Sequence, residues 1–129
     1  MLEAGIKGHG ELTVTEEVTA VRVGSGELDV LATPAMIALI EKTCWQSVAP
    51  ELEPGWGTVG GLVNVEHLAP TPLGMKVVCD TVLTAVEGRK LVFEADVFDE
   101  CGEIGRGVHE RYTVNNERFA DKALKRFGK

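Results

Sequence analysis

The run Ala35-Met36-Ile37-Ala38-Leu39-Ile40 sets the strongest constraint on how this chain folds. Six consecutive apolar residues predict a helix buried on most of its sides, and such a helix needs a partner broad enough to cover it. The next residue is Glu41, an acid where an ionised carboxylate is costly to keep without a partner or a use. Thr33-Pro34 precedes the run. Threonine is a favoured N-cap, and proline suits the first helical position, where its missing N–H is not needed. The helix is expected over Pro34–Val48, ending before Pro50.

Strands are expected around it. Residues 11–23, with Leu12, Val14, Val18, Val21 and Val23 among Thr and Glu, predict a strand that Gly24-Ser25-Gly26 breaks. Residues 57–68 alternate Val59, Gly61, Val63, Val65 and His67 on one face with Thr58, Gly60, Leu62, Asn64 and Glu66 on the other. Strands at 75–86 and 89–99 are joined through Glu87-Gly88, a two-residue hairpin signal, and the second has a clean apolar face in Leu91, Phe93, Ala95 and Val97. Cys101-Gly102 turns into a strand at 103–114, and residues 116–127 form a short terminal helix. This order is that of an α+β domain of hotdog type, an antiparallel five-stranded sheet wrapped around one long buried helix. Five strands and one helix leave a sheet edge and part of the helix uncovered, so a homodimer is the smallest expected assembly, with a tetramer left open.

A chain of 129 residues fits one domain, expected here over residues 1–129. The net charge of −7 argues against a nucleic-acid partner or an anionic membrane surface. A phosphate-bearing ligand would need a local basic pocket, for which Arg89-Lys90 and the cluster Lys122, Lys125, Arg126, Lys129 are the candidates; such charges are commonly just solvated. The opening ten residues lack the apolar centre of a signal peptide, and no apolar stretch is of membrane-spanning length. Cys44, Cys79 and Cys101 are odd in number and form no C-x-x-C pair, which fits reduced thiols and a cytoplasmic location. No metal-ligand spacing, phosphate loop or G-x-S-x-G elbow occurs, so no metal or other cofactor is expected.

Glu41 is the first candidate for chemistry. It shares a helical stripe with Ile37, Cys44 and Val48. It is either a structural ion pair with Lys42, Arg89 or Arg111, or a desolvated carboxylate serving as general base or nucleophile. His67 ends its strand on the valine face beside a Pro-rich loop; it is either a satisfied core residue or a proton carrier at a sheet rim. Thr33 is explained as a cap without any chemistry. It lies about 12 Å from Glu41 along the helix axis, so a substrate, water or second subunit must bridge the two if they act together. Gly60-Gly61 marks a close approach, either of the helix or of a ligand carbonyl to a bare backbone N–H. Arg111 shares a face with Gly105, Gly107 and His109 and either holds an anion or forms a salt bridge to Glu41 or to a surface acid.

In order, these pieces resemble the fluoroacetyl-CoA thioesterase family of hotdog proteins. The resemblance is carried by Ala32-Thr33, Glu41 followed by Cys44, Ala49-Pro50 with Leu52-Glu53-Pro54-Gly55, Val65-Glu66-His67, Val86-Glu87-Gly88-Arg89, Glu103-Ile104-Gly105 and Gly107-Val108-His109-Glu110-Arg111. It runs over roughly residues 31–114. It implies Thr33, Glu41 and His67 as catalytic residues, Gly60 and Arg111 as substrate contacts, an acyl-CoA as ligand, and a dimer with active sites near the subunit interface. The fluoroacetyl-specific version has a longer Pro- and Phe-rich stretch before the threonine, acting as an aromatic lid. Here Val23–Leu31 is shorter and has no aromatic residue. The resemblance therefore implies hydrolysis of a small acyl-CoA in general rather than of the fluorinated one alone. Two other functions fit the same residues: a hydratase or dehydratase acting on an acyl thioester, and a non-catalytic acyl-CoA binder.

Overall fold

Glycines, rather than the expected run of valines, form the first strand. The computed structural model describes residues 1–128. It places β1 at Lys7–Thr13, with Gly8, Gly10 and Leu12 turned inward and Lys7, His9, Glu11 and Thr13 outward. A side chain at Gly10 would run into Thr43 on the long helix, and one at Gly8 into Thr81 and Ser47. The inward face thus carries almost no apolar signal, which is why the sequence places this strand too late.

The segment expected to continue as strand turns instead. Glu16–Val18 forms a 3-10 turn and α1 covers Ala20–Val23, where Thr19 accepts a hydrogen bond from the Arg22 N–H and Gly24 closes the turn at φ 87°. Val18 and Val21 stand three positions apart, the spacing of a turn, and Val21 and Val23 are exposed and bury no strand face. Short bridges, Thr19 to Leu31 and Val30 to Pro72, then bring the chain back to the long helix.

Helix α2 runs from Thr33 to Val48. Its N-cap is Ala32, not Thr33, and no side chain caps it. One face, carrying Met36, Leu39, Ile40, Thr43, Cys44 and Val48, is buried against the sheet. Ala38, Lys42 and Trp45 are exposed and Ile37 and Glu41 half-buried. Within one chain the helix is therefore covered on one side only, and the expectation of burial on most sides is corrected. The sheet covers its apolar face but does not enclose it.

The remaining strands are β2 (Trp56–His67), β3 (Lys76–Glu87), β4 (Lys90–Asp99) and β5 (Gly102–Asn115), followed by α3 (Asn116–Lys125). They form one five-stranded sheet in the order β1-β3-β4-β5-β2, antiparallel throughout. The clean face expected of β4 is buried as Leu91, Phe93, Ala95 and Val97, joining Val77, Cys79, Leu83 and Ile104 in the core under α2. At one edge, the twelve residues of β2 are paired on one side only. Among the described residues no helix is long and apolar enough to cross a membrane.

Candidate active site

A bulge in β2 decides which residues face the helix. The register between β2 and β5 shifts between Gly60 and Leu62, leaving Gly61 as the extra residue. Across the sheet Gly60 faces Arg111, Val63 faces His109, Val65 faces Gly107 and His67 faces Gly105. The inward set is therefore Thr58 and Gly60 before the bulge, then Val63, Val65 and His67 after it. The single alternation read from the sequence held only beyond the bulge. Gly60 and His67 stand seven positions apart, which in unbroken alternation would put them on opposite faces; the bulge brings them onto one.

The first cluster sits at the start of α2. Thr33 Oγ1 lies 2.6 Å from His67 Nδ1. Because Thr33 does no capping, its hydroxyl is free for the imidazole. His67 Nε2 is buried and has no hydrogen-bond partner among the described residues. Burial holds the imidazole below its usual pKa, opposed more weakly by the nearby Ala69 backbone, so the ring is neutral at pH 7. Both residues line a cavity of about 350 Å³ whose other walls include Ala20, Val30, Leu31 and Leu68. None of its lining residues is aromatic apart from His67 itself.

The second cluster lies further along the helix. The Glu41 carboxylate is 40% exposed, so it is not the deeply desolvated acid that the apolar run led us to expect. Arg111 Nη1 donates to Glu41 Oε1 at 3.4 Å. The guanidinium itself is buried and anchored: Nε donates to Thr58 Oγ1 at 2.8 Å and Nη2 to the Thr58 carbonyl at 2.9 Å. Of the ion-pair partners considered for Glu41, the structure selects Arg111.

Sequence reasoning missed the role of His109. Its side chain is fully buried. Nδ1 lies 2.8 Å from the Leu62 carbonyl, which only accepts, so this nitrogen carries the proton. Nε2 is then left to accept from Arg111 Nη1 at 3.1 Å. Burial above all, with the Arg111 charge adding to it, keeps this imidazole below its usual pKa and neutral. A chain of contacts thus runs from the bulge carbonyl through His109 and Arg111 to Glu41. The available signal was the shared parity of positions 109 and 111 opposite Gly60-Gly61.

Gly60 is where a side chain would intrude, since an added Cβ would lie 2.9 Å from Glu41 Oε1. Thr33 and His67 meet directly, as do Glu41 and Arg111. The two pairs stand about 12 Å apart along α2 and do not touch within one chain. Burial pushes the Cys44 thiol up to about 12 and the Cys79 thiol up to about 11, so neither is a nucleophile at neutral pH. Cys101 is exposed and free.

Comparison with known proteins shows the family and the fold. A fluoroacetyl-CoA thioesterase from Streptantibioticus cattleyicolor is 42% identical over 94 residues, spanning 73% of this chain and 68% of that protein. The solved structure of the fluoroacetyl-CoA thioesterase FlK superposes with a TM-score of 0.92 at 32% identity, covering 97% of each chain. A hot-dog-like protein from Thermanaerovibrio acidaminovorans shares the fold at a TM-score of 0.90 and 23% identity, over 99% of this chain and 95% of that one. Residues 14–117 match the family described as fluoroacetyl-CoA-specific thioesterase, and the chain belongs to that family, on a hotdog fold.

Proposed function

We propose that Thr33, Glu41 and His67 carry the catalysis, with Gly60 and Arg111 as substrate-side and positioning groups. The reaction is hydrolysis of a small acyl-CoA thioester to the free acid and CoA. The observation that carries the assignment is His67: one ring nitrogen is held by Thr33, while the other is buried, partnerless and beside a cavity. A neutral imidazole so held is equipped to pass a proton to or from a bound group.

In the proposed sequence Glu41 takes a proton from water, and the resulting hydroxide adds to the thioester carbon. The Gly60 N–H stabilises the oxygen that becomes negative. The carbon–sulfur bond then breaks, and the departing thiolate takes the proton that Glu41 removed from water, relayed through His67. Arg111 fixes the direction of the Glu41 carboxylate. In the other version Glu41 attacks the carbonyl itself and water cleaves the resulting anhydride; a single turnover in ¹⁸O-water, with label found in Glu41, would select it. Both versions are written with side chains, the Gly60 backbone N–H and water.

The separation of the two clusters supports a homodimer, in which a second chain pairs along β2 and brings its own groups to the exposed side of α2. Leu62 and Val63 on that edge are 45% and 41% exposed. We further propose a single cytoplasmic domain over residues 1–129. The aliphatic lining of the cavity beside Thr33 supports small acyl groups without a preference for the fluorinated one.

The test is thiol release from a panel of short, branched, aromatic and fluorinated acyl-CoAs, comparing wild type with Glu41→Ala and His67→Ala. Release that collapses in both variants is expected. Full activity in either variant would remove that residue from the mechanism, and conversion of an enoyl-CoA without thiol release would favour a hydratase.

A further inference from the structure

The two basic segments of this acidic chain converge on one cavity. Arg89, from the turn between β3 and β4, and Arg118 and Lys122, from α3, line a space of about 380 Å³ with Trp56, Tyr112 and Phe119. No acidic residue lines it, although acids outnumber bases 20 to 13 in the chain. The nearby Glu87 and Glu110 lie 3.5 and 3.8 Å from Lys90. Among the described residues Arg89, Arg118 and Lys122 have no carboxylate within salt-bridge distance. The three rings are 38 to 43% exposed, so apolar faces as well as charge are available to a ligand.

The frame that holds these groups is fixed by backbone contacts. The Thr113 N–H donates to the Arg89 carbonyl at 2.9 Å, tying the turn to β5. The Asn116 N–H donates to the Gly55 carbonyl at 2.9 Å, and Asn115 Oδ1 caps α3 by accepting from the Arg118 N–H at 3.1 Å. Val59 and Tyr112, directly paired across β2 and β5, form part of the floor. They neighbour Gly60 and Arg111 but have the opposite parity, so the cavity lies on the face of the sheet away from Glu41.

We propose that this cavity binds the phosphates and base of an adenine nucleotide. Three cations free of carboxylates fit phosphate oxygens, and flat aromatic faces fit a purine ring. The volume is that of a small-molecule site. Two sources present this chemistry: the 3′-phospho-ADP end of the acyl-CoA proposed above, an arm that rests on the thioesterase reading, and a free nucleotide, which does not.

The experiment is calorimetric titration of the full chain with 3′,5′-ADP, ADP and inorganic phosphate at low and high salt. It is repeated on Arg118→Glu/Lys122→Glu, Phe119→Ala and Arg89→Ala, each checked for folding by circular dichroism. Saturable binding of 3′,5′-ADP is expected, weaker at high salt, reduced roughly tenfold or more by the double charge reversal and less by Phe119→Ala. Competition with acyl-CoA hydrolysis, together with a raised KM for acyl-CoA but not for the matching acyl-pantetheine, identifies the substrate's own nucleotide. Binding without competition identifies a free nucleotide. Absence of saturable binding to wild type, or equal binding by the folded variants, overturns the proposal even if the chain hydrolyses acyl-CoA. Because binding is read without turnover, a chain that hydrolyses nothing leaves this test intact.

Discussion

Replacing Gly60 with alanine separates catalysis from stability more cleanly than removing Glu41 does. Gly60 is not among the positive-φ residues, so alanine fits its backbone, and such a change alone favours the folded state by about 0.4–1 kcal/mol. The added Cβ would stand 2.9 Å from Glu41 Oε1, 3.4 Å from His109 Cε1 and 3.6 Å from Arg111 Nη1. Only the first contact is too close, and relieving it moves the carboxylate by about half an ångström or more. Glu41 is 40% exposed and flexible, so it gives way easily at the expense of its 3.4 Å contact with Arg111. A partly exposed pair of this kind is worth about 0–1 kcal/mol, which offsets the alanine gain. The net stability change is therefore expected within about 1 kcal/mol, a shift in Tm of no more than ~2–8 °C. Rate responds differently, because a misplacement of ~1 Å in a catalytic group costs up to ~100-fold. A fall in kcat of roughly 10- to 100-fold is expected, measured by thiol release beside a thermal melt. The backbone N–H at position 60 survives, so that donor is not what is lost. Wild-type kcat in a folded Gly60→Ala variant would refute the placement of Glu41 at the reacting carbon. Gly107→Ala is the contrast: its Cβ would run into the backbone of Asn64 and Val65, which has no flexible end to yield, and a loss of about 1–3 kcal/mol in stability is expected.

Three other outcomes follow from the same geometry. Thr33→Ala should lower kcat roughly tenfold or more while leaving Tm unchanged, since the Thr33 side chain makes no capping bond, and Thr33→Ser should restore the rate; a stability loss of about 1 kcal/mol with normal kcat would make it a cap after all. Burial lowers the pKa values of His67 and His109 from 6.5, so the unfolded chain binds more protons just below that pH and stability should fall as pH drops through the window. Urea midpoints from pH 8 to 5 would show it, with a shallower decline in His109→Gln; His9, raised by Asp80 and then Glu11, contributes oppositely, its share being present below 6.5 and lost as pH rises through its raised value, so a His9→Gln background is the control. Leu62→Glu on the exposed edge of β2 should yield a monomer by sedimentation velocity with most activity lost, and a stable dimer would place the interface elsewhere.

The long helix, the four later strands and the terminal helix were legible because their signals are local: an apolar run, alternation bounded by turns, and a hairpin dipeptide. The first strand was not, because its inward positions are glycines that make room for Thr43 and Thr81, and an absent side chain leaves no hydrophobic pattern. Thr33, Glu41 and His67 stood out as reactive groups on apolar elements. Their partners were only partly legible. The Thr33 hydroxyl reads as a cap from the local residues because the residue before a proline commonly is one; the family resemblance alone pointed to chemistry there, and the structure adds a partner in His67. His109 stayed hidden because its role is to hold Arg111, and a residue that acts through another leaves no motif of its own.

Gly60 and Gly61 then turn out to solve different problems with the same residue type. Gly60 keeps space for the Glu41 carboxylate, whereas a side chain at Gly61 would meet the Tyr112 ring at 2.5 Å on the other face. The extra residue at Gly61 also switches parity, and that switch places both Gly60 and His67 on the side of the sheet where α2 lies. It leaves the Leu62 carbonyl to His109, whose fixed tautomer presents Nε2 to Arg111, and Arg111 in turn directs Glu41. Deleting Gly61 would therefore do more than shorten a strand. It would restore unbroken alternation, with Gly60 and His67 still on one face but six positions apart, and would remove the irregularity beside which the Leu62 carbonyl meets His109, so the contact chain that ends at Glu41 begins at a bulge.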